Sequence, residues 1–466
     1  MIHSTLLLPP TTDRSAARDL QAPPRPVRVA LLGCGLIGSA LADALGDDPS
    51  LEPSIALVRD RSRKRASRVH QWTDSLEEVL ASSPDVAVEC LGGIEPAATF
   101  CERLLRAGVP VVSANKQMVA ASLPRLAEAA RLSGAQLRFD AAVCAGVPVL
   151  DAVARLRTAG IQSIRAVLNG TTQWIIDEVT RSGAPLDDCL AQAIALGYAE
   201  PDPSADLSGR DSADKLSLLC AAAGLGSIAA DEIPTRGLTH GGERLETEDI
   251  RDLQRWGALR LVARLDVVTD SAPQTGAGCG AGCGAGGGAG GAPDRASVRL
   301  SVEPTLVPRR SPIGSVSQTE NIVEVQTTRA GVMTVRGPGA GAQPTIAALL
   351  ADIDGVIRGG PGWTTQRSTA LRPQSASSER HRALRVSSLA TNQSLLHSPA
   401  TRVHEQLSTM AGSQGLTVGA IDVDGGRLLA SLRGSPEGLA TIEAELRASG
   451  LRTRSVAIDP SVRLFA

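Results

Sequence analysis

Apolar residues in the first third of the chain come in short, mostly apolar runs, with longer amphipathic stretches between them. Residues 27–32 (VRVALL), 54–58, 86–91, 109–113 and 136–143 are the runs, and residues 39–45 and 97–107 have helical character. Mostly apolar runs of this length read as strands, and their alternation with helices predicts a parallel sheet covered on both sides. This is an α/β fold, a doubly wound domain of the Rossmann type, whose ligands gather beyond the strand C-termini. Further on, LNGTT at 168–172 interrupts a strand and opens a helix over 173–181, with Thr171 or Thr172 as its cap. Near the end, the pattern gives a strand at 383–389, a helix at 400–411, strands at 416–423 and 427–432, a helix at 436–449 and a strand at 451–458. The strands at 416–423 and 427–432 flank Asp424-Gly425-Gly426, a hairpin turn. The order βαββαβ predicts a small ferredoxin-like domain over 383–466.

Two segments interrupt these patterns. Residues 271–296 are rich in glycine and alanine, almost wholly so over 276–292, and residues 361–382 are rich in Ser, Arg, Gly and Pro. The first reads as a surface loop and the second as a linker. Cys279 and Cys283 lie in the Gly/Ala tract with no companion His or Cys pair, so they do not make a zinc site. Residues 1–26 read as a disordered extension, because Pro9 and Pro10 cut short the leucines at 6–8 and the sequence that follows is polar.

The first strand runs into Gly33-Cys34-Gly35-Leu36-Ile37-Gly38, a G-x-G-x-x-G between strand and helix. Gly33 permits the tight turn, Gly35 admits a pyrophosphate, and Gly38 lets helix and strand pack closely. Leu36 and Ile37 lie within this turn, and the N-terminus of the helix that follows offers N–H donors to the phosphates. The second strand ends in Arg59-Asp60-Arg61, with Arg63, Lys64 and Arg65 behind it. Arginine there suits a 2′-phosphate and an acidic residue suits ribose hydroxyls, so NADP is expected, with NAD as the alternative. Gly92 and Gly93, after the 86–91 strand, and Lys116, after the 109–113 strand, fall at the cofactor edge of such a sheet.

GYAEPDPSADLSGRDSADK at 197–215 carries the chemistry. It places Glu200, Asp202, Asp206 and Asp211 ahead of Lys215, and Asp211 and Lys215 share one helix face. Carboxylates grip an ammonium group, and an amine serves a reacting oxygen. Hydride transfer to an aldehyde places negative charge on oxygen, which requires a proton donor or a cation nearby. No histidine lies between Gln71 and Thr239, so a lysine must serve, and Lys116 and Lys215 are the candidates. Lysines are few in this chain and its basic residues are mostly arginine. At 466 residues the chain can hold two or three domains, and a net charge of −2 gives no case for nucleic acid or an anionic membrane. No apolar run reaches the length of a membrane span. Cys90, Cys101, Cys189 and Cys220 sit singly in apolar segments, as reduced thiols do. A cytoplasmic enzyme is expected.

Several separated motifs resemble homoserine dehydrogenase. They are GCGLIG at 33–38, SANK at 113–116, LNGTTQWI from 168, GYAEPDPSADLSGRDSADKL from 197 and GPGAGAQPT at 337–345, in the family's order. The resemblance implies interconversion of L-aspartate 4-semialdehyde and L-homoserine with a nicotinamide cofactor, on the path to threonine, methionine and isoleucine. It implies that Lys215 is the acid–base group and that Lys116 sits by substrate and cofactor. Glu200, Asp206 and Asp211 would hold the substrate amino group, beside Asn169, Gly170 and Thr171. Ser113, Ala114, Gly337, Gly339 and Gly341 would join the cofactor site, with Arg59, Gly92 and Gly93. Backbone at Val143, Ala145 and Val147 would hold a monovalent cation such as sodium or potassium. Residues 27–150, completed by 336–360, would be the NAD(P)-binding domain, and 151–335 an α+β catalytic and dimerisation domain, in a homodimer or homotetramer. A βαββαβ module at the C-terminus matches the family's ACT-like regulatory domain in order, without its usual D-x-P-G-x-L start. Asp140 stands where the family has Glu, Cys144 and Ala145 replace glycines, and Trp174 replaces a smaller aromatic. The alternatives are a non-catalytic nucleotide-binding regulator of this fold, or an oxidoreductase of another amino-acid semialdehyde.

Overall fold

A computed structural model describes residues 25–62, 68–268, 297–359, 362, 380–388, 400–424, 427–448 and 451–458. Six parallel strands form the first sheet: β1 (Val27–Leu32), β2 (Leu51–Leu57), β3 (Gln71–Thr73), β4 (Val86–Glu89), β5 (Val111–Ser113) and β6 (Leu137–Arg138). Their order is β3-β2-β1-β4-β5-β6, with the direction of winding reversed between β1 and β4. Helices α1 (Leu36–Asp47), α2 (Leu76–Ala81), α3 (Ala97–Arg106) and α4 (Lys116–Ser133) connect the strands. Alternate residues of β1 explain its apolar run over 29–32. Val29 and Leu31 enter one hydrophobic core, and Ala30 and Leu32 enter another on the opposite face. The loops after β1, β4 and β5 therefore emerge at one edge.

The chain then leaves through α5 (Val149–Arg155) and β7 (Ile161–Val167), followed by α6 (Gly170–Ser182), α7 (Leu186–Ala195), α8 (Ser204–Ser208) and α9 (Arg210–Ala222). A small hairpin of β8 (Thr239–His240) and β9 (Glu243–Arg244) precedes α10 (Thr247–Gln254). Strands β10 (Ala258–Val268), β11 (Ser297–Val307), β12 (Glu320–Thr327) and β13 (Gly331–Pro338) join β7 in the antiparallel order β13-β12-β7-β10-β11. Helix α11 (Ala342–Ile357) returns to the first sheet, where Ile346, Leu349 and Ile353 pack with Val29, Leu31 and Leu41.

The last elements are β14 (Arg380–Ser388), α12 (Ala400–Ser413), β15 (Thr417–Asp424), β16 (Arg427–Gly434), α13 (Pro436–Ala448) and β17 (Leu451–Ile458). Their strands run β17-β14-β16-β15 around a core containing Leu407, Leu428, Leu432, Leu439 and Ile442. Strand β17 also pairs in parallel with β11, at Thr305 with Ala457 and Leu306 with Ile458. The second sheet thereby runs through nine described strands.

Two local expectations need correction. The run at 136–143 is a strand only at Leu137–Arg138. Beyond Phe139 it coils into a 3₁₀ turn at Asp140–Ala142, because the Asp140 amide donates to Asp352 on α11 (2.9 Å) rather than to a neighbouring strand. The helix expected at 173–181 starts earlier, at Gly170, and neither threonine caps it. Asn169 holds extended backbone and its Oδ1 accepts the Thr172 amide at 2.7 Å, the geometry a cap needs. Thr171 and Thr172 instead donate their hydroxyls to the carbonyls of Tyr198 (2.6 Å) and Asp206 (3.0 Å). The expectations for residues 1–24, Arg63, Lys64, Arg65, the Gly/Ala tract with Cys279 and Cys283, residues 363–379 of the linker expected at 361–382 and Gly425-Gly426 fall outside the described residues, whereas Arg380, His381 and Arg382, expected in that linker, open β14 by pairing with β16.

Candidate active site

A cleft of about 890 Å³ opens where the C-terminal edge of the first sheet faces α6, α8 and α9. Its walls include Gly92, Gly93, Ala114 and Lys116 on one side, and Asn169, Gly170, Thr171, Glu200, Asp206, Asp211 and Lys215 on the other. Gly339, Ala340 and Gly341 close a third side. Segments far apart in sequence meet here because each ends an element at the same edge.

Asp211 is the centre of charge. It lies in the first turn of α9, where a helix favours an anion, and its side chain is almost fully buried. Oδ1 takes the Lys116 ammonium at 2.6 Å, and Oδ2 takes the Lys215 ammonium at 2.9 Å. Burial alone would raise the pKa of this carboxyl group. The charges of Lys215 and Lys116 and their hydrogen bonds overcome that and hold it well below the usual carboxylate range. Burial likewise works against the Lys116 ammonium, yet Asp211, with Asp206 and Asp214 behind it, keeps Lys116 above the ordinary lysine value. Lys215 is 8% exposed and also donates to the Leu168 carbonyl (2.6 Å). An ammonium has three donors, so two fixed contacts leave Lys215 one for the cleft.

Around this core, Asn169 donates through Nδ2 to Asp206 (2.6 Å) and Asp211 (2.8 Å), so the residue that caps α6 also fixes both carboxylates. Asp206 is raised above its ordinary value, by burial first and by Asp211, against the lowering effect of Asn169 and the lysines. Asp214 also lines the cleft and is raised by burial against the pull of Arg210. A ring of partly desolvated carboxylates faces two ammonium groups, which suits a small zwitterion with a polar reacting end.

The glycine-rich turn fits a dinucleotide. Gly33 takes a left-handed φ of +96°, and a Cβ there would lie 2.8 Å from the Cys90 carbonyl. A Cβ on Gly38 would collide with the Gly33 carbonyl. Gly35 differs: a Cβ on it would meet nothing within 4 Å, so the space before it is open. The first turn of α1 has neither a side-chain cap nor an acidic residue, and its N-terminus keeps its full positive potential. Ile37 lines the cleft, and Leu36 stands 81% exposed beside the turn. Gly33, Gly35, Gly38, Leu36 and Arg59 are outside the cleft walls.

Other expected residues lie elsewhere. Ser113 is fully buried behind the cleft, with its hydroxyl donated to Glu89 (2.6 Å), so it supports the site without facing it. Gly337 faces Val147, where a Cβ would lie 2.7 Å from the Val147 Cγ2, and its absent side chain serves packing rather than the cleft. Val143, Ala145 and Val147 are buried beneath the cleft floor. Their loop keeps left-handed turns at Cys144 (φ 60°) and Ala145 (φ 46°), although both carry a Cβ. Glu89, Asn115, Asp214 and the Leu168 carbonyl were missed as site residues. Asn115, a cap residue ahead of a helix, and Asp214, inside the acidic stretch at 197–215, carried a local signal, whereas Glu89 and the Leu168 carbonyl did not.

The six described cysteines Cys34, Cys90, Cys101, Cys144, Cys189 and Cys220 are free thiols. Among the described residues no helix is long and apolar enough to cross a membrane, and no group of His, Cys, Asp and Glu could hold a metal ion.

Residues 148–353 match the family profile "Homoserine dehydrogenase", and residues 33–140 match "Homoserine dehydrogenase, NAD binding domain". The homoserine dehydrogenase of Corynebacterium glutamicum is 32% identical over 351 residues, covering 72% of this chain and 73% of that protein. That of Synechocystis sp. is 31% identical over 366 residues, covering 76% and 78%. Among solved structures, a homoserine dehydrogenase from Thiobacillus denitrificans is similar with a TM-score of 0.76 and 24% identity, over 93% of this chain and 98% of that one. A hyperthermophilic archaeal homoserine dehydrogenase in complex with NADPH is similar with a TM-score of 0.55 and 23% identity, over 72% and 99%. These structural likenesses carry the fold.

Proposed function

Because this chain belongs to the homoserine dehydrogenase family, and so interconverts L-aspartate 4-semialdehyde and L-homoserine with a nicotinamide cofactor, we propose that Lys215 and Lys116 are its catalytic cations. The observation that carries this is the single buried carboxylate, Asp211, gripping both ammonium groups at one wall of the cleft. A bound nicotinamide cofactor supplies the hydride for the aldehyde, or accepts it from the alcohol carbon. Lys215 Nζ gives the proton that the aldehyde oxygen gains, and takes it back from the hydroxyl in the oxidative direction. Lys116 adds a second positive charge where oxygen becomes negative. Asp211 keeps both lysines aimed, and Asp206 and Glu200 receive the substrate ammonium group. Asn169 fixes Asp206 and Asp211 relative to each other, with Gly170 and Thr171 completing that wall.

Gly33, Gly35, Leu36, Ile37 and Gly38 would hold the pyrophosphate, and Gly92, Gly93, Ala114, Lys116, Gly339 and Gly341 would line the nicotinamide side. NADP is the preferred cofactor in this reading. Asp60 turns back to accept the Ser62 amide (2.8 Å) and hydroxyl (2.6 Å), leaving exposed Arg59 as the group free to meet a 2′-phosphate. The similar archaeal enzyme was solved with NADPH.

A sodium or potassium ion on the carbonyls of Val143, Ala145 and Val147 belongs to the same reading. Two features support it: the left-handed loop, and the buried Asn321 Oδ1 beside Cys144, which has no protein partner. The C-terminal strand order β17-β14-β16-β15 supports a ferredoxin-like, ACT-like module, and the exposed Val332 and Met333 on the edge strand β13 support a homodimer or homotetramer. Residues 27–150 with 336–360, 151–335 and 383–466 are the proposed functional divisions, in a cytoplasmic enzyme.

The test is nicotinamide reduction with L-homoserine, run with NADP⁺ and NAD⁺ separately, beside Lys215→Ala. Loss of about 10²–10⁴-fold in kcat in the variant, with cofactor affinity kept, is expected. A Lys215→Ala protein that turns over at the wild-type rate removes Lys215 from the chemistry.

A further inference from the structure

Glu89 is the last residue of β4, and it is wholly buried. It pairs with Ser113 of β5 in the parallel register. Its carboxylate meets three donors. Oε1 accepts the Leu91 amide (2.8 Å) and Asn115 Nδ2 (3.2 Å), and Oε2 accepts the Ser113 hydroxyl (2.6 Å). A carboxylate buried on hydrogen bonds alone is expensive to desolvate, so it persists only where its lone pairs are well used.

The groups it holds all belong to the cofactor edge. Leu91 leads into Gly92 and Gly93. Asn115 Nδ2 also donates to the Gly93 carbonyl (2.7 Å), and Asn115 Oδ1 caps α4 by accepting the Met118 amide (3.1 Å). The Asn115 amide in turn donates to Ser113 Oγ (3.0 Å). Lys116 is the first residue of the helix so capped, and its ammonium lies on Asp211. One carboxylate therefore fastens the loop after β4 to the turn after β5, and Asn115 carries that fastening to Lys116.

A carboxylate suits this place because all three neighbours arrive as donors and both of its oxygens accept. A glutamine keeps one accepting oxygen and brings an NH₂ to one of the donors, so it preserves part of the arrangement. An alanine leaves the buried Ser113 hydroxyl and the half-buried Leu91 amide without their acceptor, and leaves Asn115 Nδ2 only the Gly93 carbonyl.

We propose that Glu89 is a positioning residue for the reaction, fixing the Gly92–Gly93 loop toward the cofactor and, through Asn115, aiming Lys116. This deepens the roles given above and rests on Lys116 acting in the cleft.

The experiment compares the full-length wild type with Glu89→Gln, Glu89→Ala, Lys116→Ala and the Glu89→Gln/Lys116→Ala double variant. NADPH affinity is read by fluorescence titration, kcat and KM by L-homoserine oxidation, and folding by thermal unfolding. Glu89→Gln is expected to fold with a Tm near that of the wild type, to bind NADPH roughly tenfold more weakly and to lose roughly 10- to 100-fold in kcat. Its KM for L-homoserine should barely move, because the acidic cluster is untouched. In the Lys116→Ala background the same change should cost little further kcat, since the two residues act in series. Wild-type kcat and NADPH affinity in Glu89→Gln overturn the proposal, as do kcat losses that simply multiply in the double variant. If Glu89→Ala does not fold, Glu89→Gln decides. If Lys116→Ala is fully active, the assigned role of Lys116 fails, and a tenfold loss of NADPH affinity in Glu89→Gln still upholds the hold on the glycine loop.

Discussion

Replacing Asp211 with asparagine tests the centre of the site. The substitution keeps shape and one accepting oxygen but removes the charge shared by Lys116 and Lys215, at 2.6 and 2.9 Å. A hydrogen bond to a charged group contributes about 1.5–3 kcal/mol. The Lys116 side chain is 34% exposed, so solvent screening discounts its share, whereas Lys215 and Asp211 are buried. The expected loss of stability is about 3 kcal/mol at neutral pH, within the range for removing one partner of a buried pair. The pH dependence has a definite sign. The folded Asp211 carboxyl is depressed, so its stabilisation is present above the unfolded value of about 4 and is lost as pH falls through the folded one. The gap between wild type and Asp211→Asn, measured by urea unfolding, should thus be full at pH 7 and narrow below about pH 4. Activity gives a second reading. Lys116 is raised by Asp211, so Asp211→Asn should move the alkaline limb of the pH–rate profile downward. It should also lower kcat by roughly 10²–10³-fold. An Asp211→Asn enzyme within about 0.5 kcal/mol of wild type at pH 7, with an unmoved alkaline limb, would refute the shared-carboxylate argument.

Three further expectations can be checked together. Gly38→Ala forces a Cβ into the Gly33 carbonyl and should destabilise the apoprotein by about 1–3 kcal/mol, seen in urea unfolding. Gly35→Ala meets nothing in the protein and should leave stability alone while weakening NADPH binding, so equal unfolding midpoints for the two variants would contradict the packing account. Arg59→Ala should raise the Kd for NADPH while leaving that for NADH near its wild-type value, and an unchanged ratio would remove Arg59 from 2′-phosphate recognition. Asp352 is buried near Asp140, and burial pushes each carboxyl up to about 7. A raised carboxyl lends stability below its unfolded value, lost as pH rises toward 7, so Asp352→Asn should be more stable than wild type at pH 8, by on the order of 1–2 kcal/mol. That advantage should shrink by pH 5, and a constant difference across this range would show that the pair does not titrate there.

Local sequence determined a good part of this protein. Strands β1, β4 and β5 are mostly apolar because both faces are covered, and that is visible in a single strand. The glycines of the first turn mark their own backbone needs. The contact between Asp211 and Lys215 follows from helical spacing alone, and so does the βαββαβ order after residue 380. Other features needed the folded chain. The run at 136–143 looked like a strand, but a buried aspartate from α11 draws the Asp140 amide away. Asn169 outcompeted two threonines as cap because the threonine hydroxyls found carbonyls elsewhere. Lys116 meets Asp211, and Lys215 meets the Leu168 carbonyl, only because sheet edge, α6 and α9 converge on one cleft. Glu89 read as one more residue of an apolar strand, since nothing nearby in sequence names the donors it serves. Periodicity and turn chemistry are written residue by residue, so sequence alone sets the elements and the nucleotide turn. Which polar groups are buried together, and thus which charges a lysine feels, depends on long-range packing and was decided by the tertiary structure.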